Sequence, residues 1–361
     1  AARTQVTDGT EDTTAAPPLV RGGIYDRPYL IRPSSRLAIG GYAETMMRAE
    51  WVEGVHENLS FEARRFNVFI FSSISPHIKL TSELEFEHGT EEIKLEMALL
   101  DIQLLDELNL RGGILLSPLG KFNLAHDSPR NEFTDRPLVS TRIIPATLSE
   151  AGFGFYGSCI LHNDHRLTYE TYLVNGLNDD IILNGDGTSI PEGRPKAFEE
   201  DNNGTPAFVG RIAWLSEFGL ELGVSVHTGL YNTFKNEGLV VDDKRRLTIL
   251  AFDGEFRWDR LSLQGEYARA SIQVPSPLIG LFAEVQQGFY AQAVYEALRG
   301  VLPLFPHSTL AAGVRYEVVD FNARAPGDHH RRLTLGTNLR LVPDTVIKLD
   351  YHHTWLFDRL G

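Results

Sequence analysis

The chain has 361 residues, a formal net charge of −14 and one cysteine. The acidic balance, with no basic stripe to neutralise phosphates, excludes a nucleic-acid partner; one cysteine excludes a disulfide framework; and no run of about 18 apolar residues exists to form a transmembrane helix. A mean hydropathy of −0.17 excludes little more, because a membrane-spanning barrel of strands exposes apolar residues only at alternate positions.

Residues 1–35 carry Thr, Asp, Pro and Gly without a period and read as an irregular N-terminal segment on the periplasmic side, with Tyr25, Tyr29 and Ile31 able to pack. The start at Ala-Ala-Arg, without methionine or an apolar leader, suits a mature chain after signal-peptide removal. From residue 36 to 361 the sequence divides into strands predicted at 37–49, 58–74, 77–88, 92–105, 107–116, 151–160, 165–175, 207–217, 219–231, 244–259, 261–273, 286–298, 308–320, 330–341 and 345–357.

Period-two alternation carries these assignments, since successive strand residues face opposite sides of a sheet. Ile78, Leu80, Leu84 and Phe86 oppose Lys79, Thr81, Glu83, Glu85 and Glu87. Leu261, Leu263 and Tyr267 oppose Ser262, Gln264 and Glu266. In the C-terminal pair, Leu333, Leu335, Leu339 and Leu341 alternate with Arg332, Thr334, Asn338 and Arg340 before a turn at Val342-Pro343-Asp344. Connections alternate too. Tight ones at 75–76, 106, 216–218, 259–260 and 342–344 separate longer ones at 50–57, 117–150, 176–206, 232–243, 274–285 and 321–329, with 88–91 and 300–307 breaking the rule.

Short turns at one end and long loops at the other are the layout of an all-β, transmembrane, antiparallel up-and-down barrel. About sixteen strands enclose a bore too wide for side chains to fill, so charged faces belong inside and apolar faces toward lipid. Tyr42, Trp51, Trp214, Trp258, Tyr351 and Trp355 are then expected in interfacial girdles. Fifteen segments leave an odd count, and a sixteenth strand is expected after Gly361, or else from the lead-in at 29–35 or from two strands merged into one segment.

Several segments resemble the phosphate-selective porin O/P family in matching order over roughly residues 60 to 355. Ser117-Pro118-Leu119-Gly120-Lys121 after LNLRGGILL is similar to that family's PFG element, and Tyr172-Leu173-Val174-Asn175-Gly176 to its strand ending in Asn-Gly. Gly288 to Tyr295 resembles its Tyr-x-Gln-x-x-Tyr strand, and the hairpin RLTLGTNLRLVPDTVIKLDY is the strongest of these likenesses. The resemblance implies a 16-stranded porin in a bacterial outer membrane, bounded by lipid and lipopolysaccharide. It also implies a homotrimer, an inward-folded third loop and passage of small hydrophilic solutes or ions, phosphate among the anions. The family's selectivity residues have no aligned positions here, and none is carried over.

The third loop, 117–150, is the candidate pore constriction, because opposed charges across a wet eyelet orient polar solutes. Its candidates are Lys121, Arg130, Glu132, Asp135, Arg136 and Arg142. Strand parity adds Lys79, Glu83, Glu85, Lys94, Glu96, Arg166, Glu170, Arg211, Glu255, Arg257, Arg315 and Arg340 as pore-lining residues. Glu83, Glu85, Glu87, Glu92 and Glu96 near the outer mouth would favour cations there. Asn184 to Thr188 lacks full calcium-loop spacing, the pairs His329-His330 and His352-His353 lack zinc-helix spacing, and nothing resembles a nucleophile elbow. No cofactor is expected. The alternatives are a barrel serving as scaffold or sheath for a partner protein and a soluble periplasmic β-protein.

Overall fold

The computed structural model describes residues 36–161, 165–185, 187–194 and 198–357. The expected lead-in at 1–35, Asp186 of the calcium-like loop and residues 358–361 lie outside the described residues. Alternation is realised as strands β1 (Leu37–Val52), β2 (Val55–Ser73), β3 (Ile78–Glu87), β4 (Glu92–Gln103), β5 (Asn109–Leu116), β6 (Ser149–Ile160), β7 (Arg166–Val174), β8 (Ala207–Leu215) and β9 (Leu220–Leu230). A small hairpin, β10 (Lys235–Asn236) with β11 (Leu239–Val240), follows. The chain continues through β12 (Arg246–Trp258), β13 (Leu261–Ile272), β14 (Val285–Arg299), β15 (Thr309–Asp320), β16 (His329–Val342) and β17 (Thr345–Phe357). All but β10 and β11 form one 15-stranded sheet in sequence order, a transmembrane-type up-and-down barrel wall. Every pairing in it is antiparallel, from β1–β2 round to β16–β17.

Most long connections, 117–148, 175–206, 231–245, 273–284 and 321–328, leave one end of this wall, here called the loop end. The turn end carries connections such as 259–260 and 343–344. The expected long connection at 50–57 is instead a two-residue turn. Glu53 and Gly54 both adopt positive φ (51° and 81°), the type I′ geometry that matches strand twist, so β1 and β2 pair up to Val52↔Val55. Among the described residues β1 and β17 are the sheet edges, and both run from turn end to loop end.

Register places whole rows at one level. Ile212, Val224, Phe252, Tyr267, Phe289 and Val318 are successive cross-strand partners from β8 to β15. Val224, Phe252, Ile212 and Phe289 are exposed on the outer surface. One residue along, Asp253, Glu266, Tyr290, Glu317 and Arg332 form a row across β12 to β16, and all are buried on the inner face. Apolar groups outward and ionised groups inward invert the arrangement of a water-soluble barrel.

The charged strand faces are inward as expected, but the interior is not polar throughout. On β7, β8, β12 and β13 the inward positions toward the loop end are apolar: Val174, Val209, Leu247, Ile249, Ala270 and Ile272 form a buried cluster with loop residues. Those loop residues include Leu119, Ile143, Ile144, Leu148, Leu177 and Ile181. Loops folded over the wall remove these positions from water, so burial stabilises them as in any core. Tyr42 is a second correction. It points inward, 8% exposed and against Phe69, whereas Trp51, Trp258 and Tyr351 are exposed outward as girdle residues would be.

Candidate functional site: the loop across the barrel interior

The third loop, 117–148, links β5 to β6 and contains α1 (Gly120–Leu124) and α2 (Val139–Arg142). Its base is closed by Asn123. Nδ2 donates to the carbonyls of Ser117 (2.8 Å) and Leu148 (2.9 Å), and Oδ1 accepts from the Leu148 N–H (2.8 Å). Gly120 follows, at φ +69°, where a Cβ would lie 2.5 Å from the Glu266 carboxylate. The Gly120 and Phe122 N–H groups donate to Ser225 Oγ (2.8 Å) and Glu266 Oε2 (3.1 Å), and the Ser140 hydroxyl donates to Glu266 Oε1 (2.9 Å). Lys121 is buried between Glu221 (2.6 Å) and Glu255.

The far part of the loop meets the strands at the two sheet edges. Ser128 Oγ donates to Glu44 of β1 (2.5 Å), and Lys348 of β17 donates to the Ser128 carbonyl (2.7 Å). Asn338 of β16 donates to the Glu132 carbonyl (2.8 Å) and carboxylate (2.7 Å), and Arg340 approaches that carboxylate at 3.5 Å. Asp135 gathers Arg48 (2.7 Å), Arg332 (3.5 Å), Arg64 (3.7 Å) and His352 (3.9 Å). Burial alone would favour its neutral form, but Arg48, His352, Arg332 and Arg64 outweigh that and hold the carboxyl below the usual carboxylate range. Arg136 donates to the Ala146 carbonyl (3.1 Å), while its own carbonyl accepts from Arg332 (2.7 Å). Arg130 is half-buried in a short 3-10 turn, Ser128–Arg130, and Arg142 is exposed on α2.

The pore-lining candidates fall on the inward side of their strands. Lys79 donates to Ser73 Oγ (3.0 Å); Glu83 and Glu85 accept from Asn67; Glu96 meets His126 (2.9 Å). Glu170 meets Arg111 (3.2 Å), and Arg211 meets Glu221 (3.1 Å) and Asp253. Arg315 meets Glu317 (3.2 Å). Lys94 lies half-exposed at the loop end with Glu87 (2.7 Å) and Glu92 (2.5 Å). Arg257, with Glu255, is exposed at the turn end, and Arg166 shares the inward parity of Thr168 and Glu170.

The candidate set omits a buried layer made of Asp101, Arg111, Glu221 and Asp253. Arg111 bonds Asp101 through Nε (2.6 Å) and stacks on Tyr156 (4.2 Å). Asp101 escaped parity because of a bulge. Glu83 pairs with Met97 and Leu84 with Leu95, so Glu96 is an extra residue and the inward face of β4 changes register there.

No family model matches the chain. An uncharacterised protein of Aquifex aeolicus (strain VF5) is 27% identical over 346 residues, covering 87% of this chain and 75% of that protein. Among solved structures, the anion-selective porin from Comamonas acidovorans superposes with TM-score 0.59 at 12% identity, covering 89% of each chain. The trimer form of OmpT, an outer membrane protein of Vibrio cholerae, gives TM-score 0.53 at 11% identity, again covering 89% of each. At these identities the likeness is one of fold, and the fold is that of outer-membrane porin barrels.

Proposed function

We propose that the protein is a porin of a bacterial outer membrane, a water-filled channel through which small hydrophilic solutes diffuse passively. The observation that carries this is the pair of rows on the same strands, apolar outward and ionised inward, with the third loop tied across the bore. Such a wall is stable only with hydrocarbon outside it and polar groups within. In this reading Lys121, Arg130, Glu132, Asp135, Arg136 and Arg142 form the eyelet. The names of the two similar structures, one a porin and one in a trimer form, support a channel that assembles as a homotrimer in lipid and lipopolysaccharide.

Of the two ion preferences, the charges favour cations over phosphate. Glu83, Glu85, Glu87, Glu92 and Glu96 cluster near the loop ends of β3 and β4. The deep cations Lys121, Arg111, Arg211 and Arg315 are each held by carboxylates. Purified protein in a planar bilayer is expected to give stepwise conductance, with a reversal potential in a salt gradient on the cation side. A silent barrel would support the scaffold or sheath alternative, and clear anion preference would return phosphate to first place.

A further inference from the structure

We propose that Glu83, Glu85, Glu96, His126 and Asp127 form a divalent-cation site that staples the third loop to the barrel wall. The first three belong to β3 and β4, and the other two to the loop. One ligand atom from each of Glu83, His126 and Asp127 lies within 4.8 Å of the other two, and the same holds for Glu83, Glu85 and Glu96. Glu83 joins both groups, and all five side chains are buried. The bulge that turns Glu96 inward beside Met97 brings the third wall carboxylate into reach.

His126 supplies an independent sign of a cation. Its Nδ1 lies 2.8 Å from the Asn123 carbonyl, which only accepts, so Nδ1 carries hydrogen. Its Nε2 lies 2.9 Å from Glu96 Oε2, also an acceptor. A neutral ring would set two lone pairs against each other, so a positive species belongs between them: a second proton or a metal ion. The 2.9 Å separation suits an imidazolium N–H on the carboxylate and equally two donors at right angles on one ion about 2.1 Å from each, and titration with Zn²⁺ separates the two. An imidazole that gives its other N–H to a backbone carbonyl is also the usual support of a metal ligand.

Asn67 holds two of the wall carboxylates together. It is fully buried, and its Nδ2 donates to Glu83 (2.6 Å) and Glu85 (2.9 Å), while its buried Oδ1 accepts no hydrogen bond. Charge points the same way. Arg65 lies 3.9 Å from Glu85 but is shared with Glu44 (3.3 Å) and Glu87 (3.6 Å). Arg136 also acts on Glu85 and Glu96, so two guanidinium groups, Arg65 being shared, face four buried carboxylates and leave the cluster net negative. One imidazole among carboxylates suits Zn²⁺ or Mn²⁺ better than Mg²⁺ or Ca²⁺, which take oxygen alone.

The site rests on loop and wall geometry; only its effect on the bore depends on the porin reading. The test is calorimetric titration of detergent-purified, chelator-stripped protein with Zn²⁺, with Ca²⁺ run in parallel. One Zn²⁺ per chain at micromolar affinity or tighter is expected, with Ca²⁺ much weaker. His126→Gln and Glu96→Gln should each weaken Zn²⁺ by more than about 10-fold, with strand content checked by circular dichroism. Glu107→Gln, exposed in the β4–β5 connection, should match the wild type. Absence of Zn²⁺ binding below millimolar concentration, or equal binding by both cluster variants, overturns the site. A protein that binds Zn²⁺ yet never conducts would overturn the channel and leave the site standing.

Discussion

At the scale of single residues, Asp135 and Gly120 decide whether the third loop stays docked. The Asp135 carboxyl titrates below its usual range because Arg48, Arg332 and Arg64, joined in acid by protonated His352, outweigh the cost of its burial. A carboxyl with a depressed folded-state value contributes stability above its unfolded value of about 3.9 and loses it as pH falls through the folded one. Protease cleavage within 117–148 should therefore stay low from neutral pH down to about pH 4 and rise below it. Asp135→Asn should be cleaved readily at neutral pH. Release of the wild-type loop near pH 6 would count against Asp135 as the anchor. Gly120 has no room for a side chain, since any Cβ would meet the Glu266 carboxylate. Gly120→Ala adds the left-handed penalty of about 1–2 kcal/mol and displaces Glu266 from Phe122 and Ser140. Increased cleavage near the start of the loop, without loss of strand content, is the expected result.

At the scale of elements, strand positions were legible because alternation is a direct consequence of unlike surroundings. β13, for example, reads Leu261, Leu263 and Tyr267 against Ser262, Gln264 and Glu266 in sequence and in structure. What escaped was set by backbone geometry or by contacts distant in sequence. The Glu53-Gly54 turn could not be told from a loop by its polar composition, and the bulge at Glu96 hid Asp101. Tyr42 looked like a girdle residue because periodicity does not say which face is inward. Loop docking was the least legible, since Lys121 finds Glu221 about a hundred residues away. That contact makes a prediction of its own: Lys121→Met removes the cation between Glu221 and Glu255, while Arg211 and Arg257 still hold those carboxylates in place. The reversal potential should move further toward cations with the barrel intact; an unchanged potential would place Lys121 outside the ion path.

At the scale of the whole molecule, the seam between β1 and β17 shows how wall and loop depend on each other. The two edge strands run the same way, so one strand of opposite sense would pair with both and complete an all-antiparallel ring. On the inside, Ser128 already reaches Glu44 on one edge and Lys348 on the other, and Asp135 reaches Arg48 and His352. The loop therefore ties the edges together. On the outside the wall depends on its solvent, and this sets a test of depth. Val224 lies in the middle of β9 within the apolar row, while Trp258 ends β12 at the turn end. In a bilayer an arginine at the midplane costs about 2–4 kcal/mol, and one at the interface about 0–1. Val224→Arg should lower the stability of the lipid-refolded protein by the larger amount, Phe289→Arg on the same row by a similar one, and Trp258→Arg by little. These values are read from denaturant titrations of protein folded into vesicles. Equal small effects at all three positions would mean that the apolar row does not face hydrocarbon, and the membrane-spanning orientation of the strands would have to be abandoned.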